Sequence, residues 1–173
     1  MILKIYQVDA FTNKLFGGNP AAVCPLEKWL PDKTLQSIAA ENNLAETAFY
    51  VKTEKGFHIR WFTPKSEVNL CGHATLATAF VMFNQERYKN DIIEFDSRSG
   101  ILTVVKKGTK LTLNFPVDKI ERIDITPDFE ACFNKKPLEL YKGKDDYMNS
   151  FIPLNRWGYL PIYRGIMKFC RVI

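Results

Sequence analysis

A chain of 173 residues with 46% hydrophobic and 25% charged residues has the size and make-up of a globular protein with a real core, as one large domain or two small ones. Its net charge of +5 is modest, no run of five or six basic residues occurs, and no stretch approaches the ~20 apolar residues of a membrane span. A nucleic-acid footprint and a transmembrane segment are therefore not expected. Four scattered cysteines with no CxxC pair, and no basic-then-apolar leader, point to reduced thiols in a cytoplasmic protein. With only two histidines, no metal site is expected.

Along the chain, Leu3 to Asp9 alternates in part and reads as a strand, Phe16 to Pro20 as a turn, and Ala21 to Cys24 as a small-residue buried segment. Pro31-Asp32 opens a helix with Leu35, Ile38 and Ala39 on its apolar face, and Asn42-Asn43 closes it. Thr47 to Val51 and His58 to Thr63 are strands. From Gly72 a helix follows that is apolar on almost every face, with Leu76, Phe80 and Phe83 expected deep in the core. Ile92 to Phe95, Leu102 to Val105 and Leu111 to Phe115 make three more strands, joined by turns at Ser99-Gly100 and Lys107-Gly108. Strands that enclose one very apolar helix predict an α+β layer, or a barrel-like sheet around it. Beyond Pro116 the texture changes. Thr126-Pro127-Asp128 caps a short helix carrying Phe129, Cys132 and Phe133, and residues 149–173 fit neither a helical nor a strand period.

The chemistry concentrates around two segments. In Asn43-Leu44-Ala45-Glu46-Thr47 a carboxylate stands at a helix-to-strand junction in apolar company, which suits a general acid or base; the plain alternative is a solvated loop glutamate. In Leu70-Cys71-Gly72-His73-Ala74-Thr75 the buried helix begins. Its first N–H groups have no internal partner, so it can seat a small anion such as a substrate carboxylate, or it can be an ordinary capped helix. Cys71 at that end is chemically able to act as a thiolate, although a lone cysteine is more often a small buried hydrophobe. Asp9, at an expected Asx-turn, and Glu67, in a loop, are weaker candidates.

Taken together, Val8 to Phe11, Phe16 to Val23, Asn43 to Phe49, Arg60 to Pro64 and Glu67 to Ala77 resemble the PhzF family of phenazine-biosynthesis-like isomerases. The five segments keep the family's order and spacing over residues 1 to about 115. The resemblance implies a diaminopimelate-epimerase-like α+β fold, a mixed sheet or barrel wrapped around a central buried helix. Two such domains then face each other across an active-site cleft. It gives Glu46 the role of general acid or base in proton transfer next to a carboxylate, and it matches Asn19, Gly72 and His73 to substrate binding. The implied enzyme is a cofactor-independent isomerase of a small carboxylate substrate, with no metal and with a homodimer as the expected assembly. A rival chemistry comes from diaminopimelate epimerases, in which a catalytic cysteine precedes a glycine at the equivalent helix start; here that residue is Cys71. On this reading residues 1–115 are a PhzF-like N-terminal domain, 116–148 a connector and the start of an incomplete second domain, and 149–173 an atypical tail in a truncated or shifted frame. The alternative function is then a non-catalytic remnant that still binds small anions.

Overall fold

The computed structural model describes residues 2–14, 16–114, 116, 119, 121–131 and 137–142, together with the backbone of Tyr147–Ser150 and Ile166–Cys170. In chain order the elements are β1 (Tyr6–Ala10), β2 (Asn19–Leu26), α1 (Asp32–Asn42), β3 (Glu46–Thr53), β4 (Gly56–Phe62), β5 (Glu67–Val68), α2 (Gly72–Asn84), β6 (Ile92–Ser97), β7 (Gly100–Lys107) and β8 (Lys110–Asn114). They continue as β9 (Glu121–Ile123), α3 (Pro127–Glu130), β10 (Glu139–Lys142), β11 (Tyr147–Ser150) and β12 (Ile166–Cys170). The chain divides into two compact units, Met1–Pro116 with Ile166–Ile173, and Val117–Gly165.

The first unit is built around α2. Its thirteen residues, GHATLATAFVMFN, include no charged side chain, and ten of them are buried. A helix without a polar face gains stability only when other elements cover it on several sides. The sheet does this by running in the order β1-β2-β3-β4-β6-β7-β8-β12, with β5 beside β4. Because α2 packs against β1, β2 and β3 and also against β8, strands from both halves of the sheet meet it, and the sheet curls around the helix. Two neighbour pairs, β2–β3 and β4–β6, are parallel. A parallel neighbour requires a crossover, and α1 and α2 supply the two.

Strand alternation divides the apolar side chains between the two helices. Val23, Ala48, Tyr50, Ile59 and Trp61 join the cluster around α2. Cys24, Phe49, Val51 and Phe62 join Leu35 and Ala39 of α1 on the opposite face. The central strands are therefore apolar on both sides, which is why β3 shows an almost unbroken hydrophobic run. At the end of α1, Asn43 adopts the left-handed conformation (φ 49°, ψ 34°), which asparagine tolerates better than most residues. The turn delivers Glu46 to the first position of β3. A second constraint acts at Gly18, where a Cβ would stand 2.3 Å from the carbonyl oxygen of Ala10. Only glycine lets the loop after β1 return this closely and begin β2 at Asn19.

The helices and the principal strands of this unit fall where the sequence pattern puts them. The first strand starts at Tyr6 rather than Leu3, since Tyr6 opposite Val23 is the first register pair with a partner. Phe80 is only partly buried against the core; it shares a helix face with Asn84, which the sheet leaves uncovered. The backbone of Ile166–Cys170 pairs antiparallel with β8, although its side chains show no strand period. Pairing along an edge uses backbone N–H and C=O groups, which every non-proline residue carries. The second unit contains a β11-β10-β9 antiparallel sheet and the short α3, whose Thr126 side chain accepts the Phe129 N–H at 3.3 Å. Cys132, Phe133 and most of residues 149–173 lie outside the described residues. Among the described residues, no helix is long and apolar enough to cross a membrane.

Leu76 is fully buried at the centre of α2. Leu76→Ala should lower the unfolding free energy in urea by about 2–5 kcal/mol. A change within about 0.5 kcal/mol, the size of an ordinary surface effect, would show that α2 is not the core.

Candidate active site

Cys71 occupies the N-cap of α2 in an extended conformation, and no side-chain hydrogen bond caps the first turn. Most N-caps use the oxygen of Ser, Thr, Asp or Asn, which cysteine lacks. No acidic residue lies in the first turn either. The hydroxyls of Thr75 and Thr78 point backwards along the helix and donate to the carbonyls of Cys71 and Ala74, so they do not compete for the free N–H end.

Three side chains from two elements converge there. Glu46 begins β3, and its Oε2 lies 3.1 Å from Nε2 of His73 in α2. On the other side of the imidazole, Cys71 Sγ lies 3.4 Å from Nδ1. One donor atom from each of Glu46, Cys71 and His73 can be chosen so that all lie within 4.8 Å of one another. The approach of Nε2 to Oε2 is close but out of line. Among the described residues both atoms are buried without a hydrogen-bond partner of good geometry. An aromatic ring borders the group: Phe11 stands edge-on to His73, with centroids 6.4 Å apart. Phe11 has φ 66°, an uncommon conformation for a bulky residue.

Burial decides the protonation of this group. It holds the His73 imidazole below its usual pKa, against the opposing pull of the Glu46 charge and the Pro20 carbonyl. The ring is therefore neutral near pH 7. Burial also pushes the Cys71 thiol up to about 12, with the Glu46 charge adding to the effect and backbone N–H groups of Ala74 and His73 opposing it. At neutral pH Cys71 is a thiol rather than a thiolate nucleophile.

Of the residues singled out from sequence, Glu46, Cys71 and His73 come together, and Gly72 is the first residue of α2 between the last two. Asn19 opens β2 two residues before Ala21, which is registered with Glu46. Asp9 holds the loop between β1 and β2, accepting the Phe16 N–H at 3.0 Å. Glu67 takes two hydrogen bonds from Arg60, at 2.7 and 2.8 Å, and an ion pair from Arg98 at 2.7 Å. Both Asp9 and Glu67 thus act on the loops that frame the site. Phe11 and Pro20 were not singled out as site residues; both stand in the Val8 to Phe11 and Phe16 to Val23 motifs, which is the signal that could have found them.

Residues 8–136 match the family described as phenazine biosynthesis-like protein. The chain belongs to this family. An uncharacterized isomerase of Pseudomonas aeruginosa is 52% identical over 128 residues, covering 74% of this chain and 49% of that protein. The crystal structure of a PhzF-family phenazine biosynthesis protein from Enterococcus faecalis superposes with a TM-score of 0.77 at 50% identity, over 86% of this chain and 57% of that one. The chain spans about half the length of these relatives. A hydroxyproline epimerase from Agrobacterium vitis shares the fold alone, with a TM-score of 0.51 at 8% identity over 70% of this chain and 44% of that one. The PhzF fold of this chain is accordingly the α+β, epimerase-like arrangement of a mixed sheet around a buried helix.

The lowered pKa of His73 links stability to pH. Below about 6.5 an unfolded histidine binds a proton that the folded His73 still resists, so the unfolded state binds more protons in that window. Stability should rise with pH through it and fall as pH drops from about 6.5 toward the folded value. Urea unfolding at several pH values should show this slope, and His73→Asn should flatten it. An equal slope in the variant would mean that His73 is not buried as a neutral ring.

Proposed function

We propose that this site moves a proton at the carbon next to the carboxylate of a small organic acid, with Glu46 as the general base and acid. The observation that carries the reading is the position of Glu46 Oε2, 3.1 Å from His73 at an α2 N-terminus that no side chain caps. A substrate carboxylate at the first N–H groups of α2, those of Gly72 and His73, would meet the positive end of the helix dipole. Glu46 then takes a proton from the adjacent carbon. The charge that develops on the carboxylate side is stabilised by donors already in place. Returning the proton to a different carbon gives an isomer with no change in oxidation state, so the step itself calls for no redox cofactor. Phe11 supplies an apolar wall that excludes water from the reacting carbon. The isomerase relative described above supports the reaction class, while the substrate and the activity of the whole protein belong to this proposal.

Solvent deuterium incorporation into a panel of small carboxylic acids, followed by NMR, tests the reading. Glu46→Gln should slow exchange by ~10²–10⁴-fold, the usual contribution of a general base, without altering the circular dichroism. Cys71→Ser should be much milder, because burial keeps that thiol protonated. A dead Cys71→Ser with an active Glu46→Gln would transfer the base to the thiol, as in an epimerase. Shifts of the Gly72 and His73 amides with acids but no exchange would leave an anion-binding module.

A further inference from the structure

We propose that Cys71, His73 and Glu46 form a binding site for a zinc ion, which occupies the position of the proton-transfer machinery and blocks it. The sequence pattern argued against zinc because the chain has only two histidines. The fold assembles a different donor set, with one sulfur, one imidazole nitrogen and one carboxylate oxygen. That combination of thiolate, imidazole and carboxylate matches the ligands zinc takes, and three protein ligands leave a fourth position open.

The three donors are near enough to one another for an ion to draw them together. With Zn–S of about 2.3 Å and Zn–N or Zn–O of about 2.0–2.2 Å, tetrahedral ligand atoms stand roughly 3.3–3.6 Å apart. Here Cys71 Sγ stands 3.4 Å from His73 Nδ1 and Glu46 Oε2 stands 3.1 Å from Nε2, the other ring nitrogen, and one ion takes only one of the two nitrogens. With one atom chosen from each residue, the donors all lie within 4.8 Å of one another, so they have to draw closer to hold the ion.

A second observation points to a ligand. The His73 side chain is nine-tenths buried, yet its Nε2 lacks a well-aligned hydrogen bond among the described residues, as does Glu46 Oε2. Buried polar atoms left unpaired carry a free-energy cost that a bound ion removes. On binding, the thiol proton leaves to solvent and the thiolate becomes a ligand, so the ion itself drives the deprotonation. Magnesium and calcium, which prefer all-oxygen cages, do not fit a site with sulfur and nitrogen.

The binding itself does not rest on the proposed reaction and is tested without it. Zinc competition against a chromophoric chelator should give one site per chain, and excess magnesium should leave it unchanged. Cobalt should give an intense near-ultraviolet sulfur-to-metal band. Cys71→Ser should abolish that band, and Cys71→Ser, His73→Asn and Glu46→Gln should each weaken zinc binding by at least about tenfold, a loss that even outer-shell partners can cause. Cys24→Ser, Cys132→Ser and Cys170→Ser should retain the band. Circular dichroism checks folding, and if Cys71→Ser does not fold, His73→Asn and Glu46→Gln decide alone. Unchanged affinity in the folded site variants, loss of the band in one of the other cysteine variants, or no competition by wild type would overturn the proposal. If exchange activity is found, zinc at saturation should abolish it. Binding without inhibition would overturn the block, and an inactive protein that still binds zinc through these residues would separate the metal site from the reaction.

Discussion

An α-helix whose side chains are apolar all round has no stable place at a surface, and α2 imposes this condition on the rest of its unit. Ten of its thirteen residues are buried, so the sheet has to bend until strands from both of its halves touch the helix. The parallel pairs β2–β3 and β4–β6, each bridged by a helical crossover, follow from that requirement. A helix buried along its length still has two ends. At the N-terminus the free N–H groups have to find partners, and this chain places Cys71 there, which offers no oxygen to cap them. Burial of the helix and openness of its first turn together create a polar spot at the edge of an apolar core.

Position at that spot is controlled from a distance. The loop between β4 and α2 is held by Glu67, whose carboxylate pairs with Arg60 on one side and Arg98 on the other. Arg60 and Glu67 have side chains only 12% and 13% exposed, so their ion pair is little screened by water. Arg60 also lies over the rings of Trp29 and Phe62, at 5.2 and 5.1 Å. The Ser99 hydroxyl adds a hydrogen bond to the Asn69 carbonyl at 2.9 Å, two residues before Cys71. A pair of this kind contributes little net stability compared with apolar packing, but it specifies one geometry for the chain between its partners. Here the segment so specified leads directly into Cys71, Gly72 and His73.

The same low polarity makes the site selective in what it does with protons. Burial favours neutral imidazole and neutral thiol over their charged forms, and it wins against the nearby Glu46 charge at His73. The proposed reaction accordingly assigns the proton transfer to Glu46 rather than to the thiol. A soft divalent ion reverses that order, because it supplies the positive charge that a thiolate and a carboxylate need when they are removed from water. The two proposals thus make proton transfer and metal capture alternative uses of one donor set, separated by whether a cation is present.

Local chemistry was legible in the chain itself. The all-apolar period of Leu76 to Phe83, the Asn42-Asn43 stop, the alternating strands and the glycine turns each depend on nearest neighbours, so α1, α2 and the principal strands of their sheet follow from the sequence. Glu46 and the Cys71-Gly72-His73 segment stood out for the same reason, as polar residues inside apolar runs. What only the tertiary structure decided is how residues remote in sequence meet. Glu46 and His73 lie 27 positions apart, and their 3.1 Å approach exists because β3 lines α2. Phe11 reaches the ring from β1's end, and Glu67, expected in a loop, pairs within β5 and is clamped because Arg98 returns to it from the β6–β7 turn. Phe80 shows the limit from the other side: helical period marks a residue as apolar, but only the curl of the sheet determines which face is covered. Distances between elements are set by packing a whole core at once, and no local period encodes them.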